Sequence, residues 1–68
     1  MGIKEIAAAA NVSPATVSNV LNGKNNVSVE TRERILELCE AMGYTHIENV
    51  VGLLEETIKL REYLRSLH

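Results

Sequence analysis

Apolar residues recur along the chain at helical spacing, and no segment alternates apolar and polar residues as a strand does. The spacing predicts a first helix over about residues 3–10 and a second over 14–21. The second begins after Ser13, a favourable N-cap, and Pro14 occupies its first turn, where a missing N–H costs nothing. Only residues 11–13 separate the two helices, which is the short connection of a helix–turn–helix unit. The buried stripe of the second helix is predicted to be Val17, Val20 and Leu21.

A third helix is predicted over about residues 29–42, after the N-cap Ser28 and before Gly43, a residue typical of helix ends. Its apolar face is predicted to contain Ile35, Leu38, Cys39 and Met42.

The fourth segment, about residues 47–67, would form a helix roughly 30 Å long. It carries a short heptad repeat with an apolar seam, as in coiled coils. We expect this helix to form a homodimer, while a helix folded back on its own chain is the alternative. Parallel and antiparallel pairing both remain open. The predicted dimerisation residues are Val50, Leu53, Leu54, Thr57, Leu60, Leu64 and Leu67.

These patterns predict an all-α protein with two parts. Residues 1–45 would form a three-helix unit, and residues 46–68 a long amphipathic helix. A chain of 68 residues has room for one small core, whose stability is marginal without a partner.

The charged residues are unevenly distributed along the chain, which changes how the net charge is interpreted. The net charge of −2 and the pI near 5.6 are unlike those of most nucleic-acid-binding domains, which are basic. Residues 7–29, however, contain no acid and one lysine, Lys24. This segment can therefore approach a phosphate backbone without local repulsion.

Other functional classes find little support. Cys39 is the only cysteine, which excludes an internal disulfide and a cysteine-rich zinc site, and we expect it to be buried. The two histidines, His46 and His68, do not form a metal-binding pattern, and no nucleophile–base pair or phosphate-binding glycine loop is present. We expect neither enzymatic activity nor a metal or cofactor. No membrane span or secretory signal is found, so we expect a cytoplasmic location.

Residues 3 to 44 contain, in order, several short strings that together are specific. They are Ile3-Lys4-Glu5-Ile6-Ala7, Val12-Ser13-Pro14-Ala15-Thr16-Val17-Ser18, Val20-Leu21-Asn22-Gly23-Lys24, Val27-Ser28, Thr31-Arg32-Glu33-Arg34-Ile35 and Gly43-Tyr44. This order closely resembles the DNA-binding headpiece of the lac repressor family. The resemblance implies a lambda-repressor-like helix-turn-helix, three-helix headpiece, followed here by a long C-terminal helix.

The resemblance also implies a function. Family headpieces place the second helix in the major groove and bind near-palindromic operators as dimers. By position, base contacts would come from Pro14, Ala15, Ser18 and Asn19. Phosphate contacts would come from Ser13, Thr16, Asn22, Lys24, Asn26, Ser28, Thr31 and Tyr44. The implied protein is a transcriptional repressor that binds double-stranded DNA and is associated with the bacterial nucleoid. No small-molecule effector site is visible in the sequence.

Several positions depart from the family pattern. Asn19 stands where arginine is frequent, and Asn11 where glycine is usual. After Tyr44 the family's Pro-Asn stretch is replaced, and Leu53 occupies the position of a leucine that enters the minor groove. The basic residue of that hinge segment is absent.

These departures leave an alternative function open. The chain could be a protein-interaction module that pairs with a related regulator through its C-terminal helix and binds DNA weakly or not at all. Steep loss of DNA affinity with salt would distinguish a DNA-binding protein from such a module.

Overall fold

A computed structural model describes residues 2–24, 26–44 and 50–67 of the chain. These residues form α1 (Ile3–Ala10), α2 (Pro14–Leu21), α3 (Val29–Ala41) and α4 (Val50–Ser66). No strand occurs among the described residues, and the prediction of an all-α fold is confirmed. The predicted beginning of the fourth helix at residue 47, the boundary between residues 45 and 46, and both histidines lie outside the described residues.

The turn between α1 and α2 depends on Asn11, which adopts a left-handed conformation with φ 60° and ψ 45°. The backbone N–H of Val12 donates to the carbonyl of Ala7 at 3.0 Å, which closes the end of α1. Asparagine tolerates this conformation better than most residues because its short polar side chain can hydrogen-bond locally. The turn therefore forms without the glycine that is usual there.

All four helices contribute to one hydrophobic core. α1 and α2 pack against each other and against α3, and α4 packs along α3. The core residues are Ile6, Ala7, Ala10, Val17, Val20, Leu21, Ile35, Leu36, Cys39, Tyr44, Val50 and Leu54.

The apolar face predicted for α3 was partly wrong. Leu36 is fully buried, whereas Leu38 is only half-buried and Met42 is exposed. Because α3 contacts α1 and α2 and also α4, its buried surface extends beyond the predicted stripe to Leu36.

The N-terminal half of α4 is folded onto its own chain. Val50, Leu54 and Thr57 are buried there, and the Thr57 hydroxyl donates to the carbonyl of Leu53 at 2.7 Å. Three of the residues predicted for dimerisation are thus covered by the same chain. They share one face of α4, and α3 offers that face an apolar surface.

Two arginines fix the helices to one another. Arg34 on α3 donates from Nη2 to the carbonyl of Ala10 at 2.9 Å, at the end of α1. Arg61 on α4 lies with Nη1 3.2 Å from Oε1 of Glu33 on α3. None of the helices in the described parts of the chain is long and apolar enough to cross a membrane.

Candidate nucleic-acid interface

The N-terminus of α2 is capped by a pair of hydroxyl side chains. The backbone N–H of Thr16 donates to Oγ of Ser13 at 3.2 Å, and the two hydroxyl oxygens are 2.9 Å apart. Pro14 at the first helical position removes one N–H that would otherwise need a partner. The cap fixes the direction in which α2 leaves the turn.

The first turns of α2 present small side chains to solvent. Pro14 and Ala15 are exposed, and Ser18 and Asn19 are half-buried. The opposite side of the helix carries the core residues Val17, Val20 and Leu21. The four residues predicted to contact bases therefore lie outside the core.

Asn19 is the residue on this surface with the most specific hydrogen-bonding capacity. Its side chain makes no hydrogen bond to any other residue in the described ranges, so its amide can donate and accept at once. Ser18 is partly engaged, because Nδ2 of Asn22 donates to its Oγ at 3.4 Å. That bond uses Ser18 as an acceptor and leaves its hydroxyl proton available for another partner.

The N-terminus of α3 repeats the cap of α2. Thr31 N–H donates to Oγ of Ser28 at 3.2 Å, and the Ser28 hydroxyl donates to Oγ1 of Thr31 at 3.0 Å. Helix N-termini carry a partial positive charge that suits phosphate groups. In α3 the negative charge of Glu30 in the first turn works against this attraction. Lys24 and Asn26, in the connection between α2 and α3, are exposed.

Tyr44 is less available than the other predicted phosphate-contacting residues. It is buried, and its hydroxyl donates to Oε1 of Glu5 at 3.3 Å. Burial and the neighbouring Glu5 carboxylate raise the pKa of the Tyr44 hydroxyl above its ordinary value of 10.0. A phosphate would have to compete with Glu5 for the single proton of this hydroxyl.

The acid-free segment predicted from the sequence includes all of α2 and its flanking turns. The carboxylates nearest to it along the chain are Glu5 on α1 and Glu30 on α3. The exposed side of α2 is thus uncharged, with Lys24 just beyond its end. Such a surface allows close approach to DNA but supplies little of the long-range attraction that basic domains provide.

Three contacts between distant parts of the chain were not predicted from the sequence. They are the bond from Arg34 to Ala10, the pair of Glu33 with Arg61, and the engagement of Tyr44 by Glu5. Each joins residues 24 or more positions apart, and no local pattern indicates such contacts. Among the described residues, no group of three or more His, Cys, Asp or Glu side chains could hold a metal ion.

Sequence comparison agrees with this geometry. The profile of the family described as bacterial regulatory proteins, lacI family, matches residues 2–46, which include α1, α2 and α3. The chain belongs to the lacI family. Membership places it in a family that is described as bacterial regulatory proteins.

Several curated relatives share this region. An HTH-type transcriptional regulator of Lachnoclostridium phytofermentans is 41% identical over 59 residues, covering 87% of this chain and 18% of the relative. Catabolite control protein A of Priestia megaterium is 50% identical over 42 residues, covering 62% of this chain and 13% of its own length. The transcriptional repressor MelR of Bacillus subtilis is 50% identical over 44 residues, covering 62% of this chain and 13% of the relative. The chain thus spans less than a fifth of the length of these relatives. No solved structure matches it.

Proposed function

We propose that this chain is a sequence-specific DNA-binding domain of a transcriptional regulator of the repressor type, with α2 lying in the major groove. The observation that carries the proposal is the outer side of α2. It has small and amide side chains, no acid, and a capped N-terminus, and the opposite side is anchored in the core. The relatives named as transcriptional regulators and repressors support the same class of function.

Each base-contacting residue has a role that its chemistry suggests. The Asn19 amide matches the N6 and N7 edge of adenine, which it can bind with two hydrogen bonds. The Ser18 hydroxyl can bond to more than one base, whereas the apolar surface of Ala15 suits the methyl group of thymine. Pro14, at the tip of α2, contacts the groove by shape alone.

Phosphate contacts orient α2 in the groove and add affinity without sequence preference. In this proposal they come from side chains at the two helix caps, in the connection between α2 and α3, and at the end of α3. These residues are Ser13, Thr16, Asn22, Lys24, Asn26, Ser28, Thr31 and Tyr44.

A dimer on a near-palindromic operator completes the proposal. One headpiece has only a single cation in the segment from residue 7 to 29, so its affinity for phosphates is small. Linking two headpieces raises affinity through effective concentration. The two copies of α2 would then enter successive major grooves about 34–36 Å apart.

Selection from a random duplex pool tests this proposal, followed by affinity measurements on the enriched site over a range of salt concentrations. We expect a palindrome with A·T pairs at the positions read by Asn19, and a linear fall of log affinity with log salt. If nothing is enriched at low salt while the protein remains folded, the proposed function is wrong.

A further inference from the structure

The carbonyl of Ala10, the last residue of α1, accepts no backbone hydrogen bond within the described ranges. The chain leaves the helix at Asn11, where the backbone is left-handed. The residue that would donate to Ala10 in a continuing helix is Pro14, and proline has no N–H. The N–H groups of Asn11 and Val12, which close the end of α1, donate to carbonyls earlier in the helix. The carbonyl of Ala10 therefore needs a donor from elsewhere in the chain.

Water has little access to this carbonyl. Ala10 is 1% exposed, and a buried carbonyl without a partner is about as unfavourable as a lost hydrogen bond. The donor is Nη2 of Arg34 on α3, which lies 2.9 Å from the carbonyl oxygen. The Arg34 side chain thus allows α1 to end at Ala10 with the last carbonyl satisfied.

The Arg34 guanidinium makes this contact although two carboxylates lie near it on α3. Glu30 is one turn before Arg34 and Glu37 is one turn after it, at the spacings where helical side chains of opposite charge can pair. Neither carboxylate forms an ion pair with Arg34 among the described residues. Exposed ion pairs contribute little to stability, whereas a buried carbonyl has a strong need for a donor. The contact with Ala10 is therefore the specific role of this side chain.

The carbonyl of Ala10 directly precedes the turn that sets the direction of α2. It shares one peptide plane with the N–H of Asn11, so the contact fixes the plane that enters the left-handed residue. Ser13, the N-cap of α2, follows two residues later. Because residues 11–13 are the whole connection, a rotation of this peptide plane changes the direction of α2.

We propose that Arg34 is a positioning residue for DNA recognition, which holds the turn and thereby the base-contacting side of α2 in the orientation that fits the major groove. The inference rests on the proposed function and deepens it. Without the guanidinium, the carbonyl of Ala10 gains a partner only when the turn opens toward water. That opening tilts α2 and lowers the affinity for the operator.

Operator binding by Arg34→Met tests the proposal, measured by fluorescence anisotropy at a temperature where circular dichroism shows the variant fully folded. We expect a loss of about five- to tenfold on the selected operator and of about twofold or less on unrelated duplexes. The reason is that a tilted α2 loses base contacts but keeps most phosphate contacts.

Arg65→Met is the matched control. Arg65 lines the same groove between α3 and α4 as Arg34, and it has no hydrogen bond or ion pair among the described residues. This variant therefore removes the same charge without removing a donor from a carbonyl. We expect it to lower affinity for the operator and for unrelated duplexes alike, by at most about twofold.

Two comparisons exclude other roles of Arg34. If it bound a phosphate, Arg34→Met would weaken binding to all duplexes equally and reduce the slope of log affinity against log salt by about 1. If it only stabilised the fold, the fully folded variant would bind the operator like the wild type. Either result overturns the proposal. Arg34→Lys, which can still donate to the carbonyl, is expected to recover most of the operator affinity.

Amide hydrogen exchange without DNA separates failure of this inference from failure of DNA binding. In Arg34→Met the N–H groups of Val12 and Thr16, on the two sides of the turn, are expected to exchange about tenfold faster than in the wild type. The N–H of Ile58 in α4 is expected to change by about twofold or less. Unchanged exchange at the turn, or equal acceleration at all three positions, would overturn the proposal whether or not the protein binds DNA.

Discussion

Arg61 joins α4 to α3 through Glu33, with Nη1 and Oε1 separated by 3.2 Å. The Glu33 side chain is only 10% exposed, whereas that of Arg61 is 31% exposed. A carboxylate so nearly buried needs a cation or hydrogen-bond donors nearby, because burying an unpaired charge is unfavourable. The Arg61 side chain thus fixes where along α3 the C-terminal half of α4 lies.

Replacing Arg61 by methionine is expected to lower the free energy of unfolding by about 1–2 kcal/mol. Methionine keeps the apolar stem but removes the charge that accompanies Glu33. Urea unfolding monitored by circular dichroism measures the effect. Arg65→Met is the control, since Arg65 lines the same groove between α3 and α4 without an ion pair among the described residues.

The pairing is tested further by combining the substitutions. In a Glu33→Gln background, Arg61→Met is expected to cost much less than in the wild type, because the buried charge is already gone. If the cost is unchanged, Arg61 stabilises α4 by packing alone.

Asn19 and Lys24 are expected to affect DNA binding differently. Asn19→Ala should weaken binding to the selected operator by about 1–3 kcal/mol and relax the base preference at one position of each half-site. Lys24→Ala should weaken binding to all sequences alike and reduce the slope of log affinity against log salt by about 1. Fluorescence anisotropy with matched and mismatched duplexes measures both. An Asn19→Ala variant that lost affinity equally for every duplex would argue against base reading by Asn19.

The turn between α1 and α2 gives a prediction about stability. Asn11→Ala is expected to lower the free energy of unfolding by about 1 kcal/mol, because alanine is strained at a φ of 60°. Asn11→Gly, which removes that strain, is expected to be at least as stable as the wild type. Thermal and urea unfolding would show the order. Equal stability of the alanine and glycine variants would mean that the turn adopts another conformation in solution.

Local signals made the first three helices predictable. The caps at Ser13 and Ser28 lie next to the helices they begin, and the apolar spacing on α1 and α2 needs no knowledge of distant residues. The burial of Leu36 and the exposure of Met42 depend on how α3 packs against the other helices, which periodicity within α3 does not contain. The DNA-contacting roles came from resemblance to the family, since small polar residues on a helix do not by themselves identify an interface.

Periodicity within α4 likewise does not contain the position of its packing partners. Its leucine repeat predicted a partner helix, and a helix folded back on its own chain was the alternative. The structure shows that Val50 and Leu54 are used for the second purpose, whereas Leu60 and Leu67 remain exposed. The two expectations therefore concern neighbouring faces of one helix and do not exclude each other.

Stability is expected to decrease in alkaline solution. Burial raises the pKa of the Cys39 thiol above its ordinary value of 9.0, and the pKa of the Tyr44 hydroxyl is also raised, by burial and by Glu5. Above the ordinary pKa values the unfolded chain releases these protons while the folded chain retains them, so rising pH favours unfolding. Below that range both groups are protonated in both states and contribute no pH dependence.

Urea unfolding at several pH values between about 7 and 10.5 measures this decline. Cys39→Ala should be less stable at every pH but should show a smaller decline as the pH passes 9.0. Tyr44→Phe should reduce the decline only at higher pH. If the variant that combines Cys39→Ala and Tyr44→Phe lost as much stability with rising pH as the wild type, other groups would cause the decline.

Glu5 is expected to restrain DNA binding through Tyr44. Its Oε1 accepts a hydrogen bond from the Tyr44 hydroxyl, with the two oxygens 3.3 Å apart, and the carboxylate adds a negative charge next to a residue proposed to contact phosphate. Glu5→Gln should therefore raise operator affinity by about 0.5–1 kcal/mol, roughly two- to fivefold, with the larger gain at low salt. Glu37→Gln makes the same change of charge in the groove between α3 and α4 and should give a smaller gain.

The decisive comparison places Glu5→Gln in a Tyr44→Phe background. If the gain acts through the hydroxyl, most of it disappears there, whereas a gain that persists would mean that Glu5 acts by charge alone and that the Tyr44 hydroxyl does not bind phosphate.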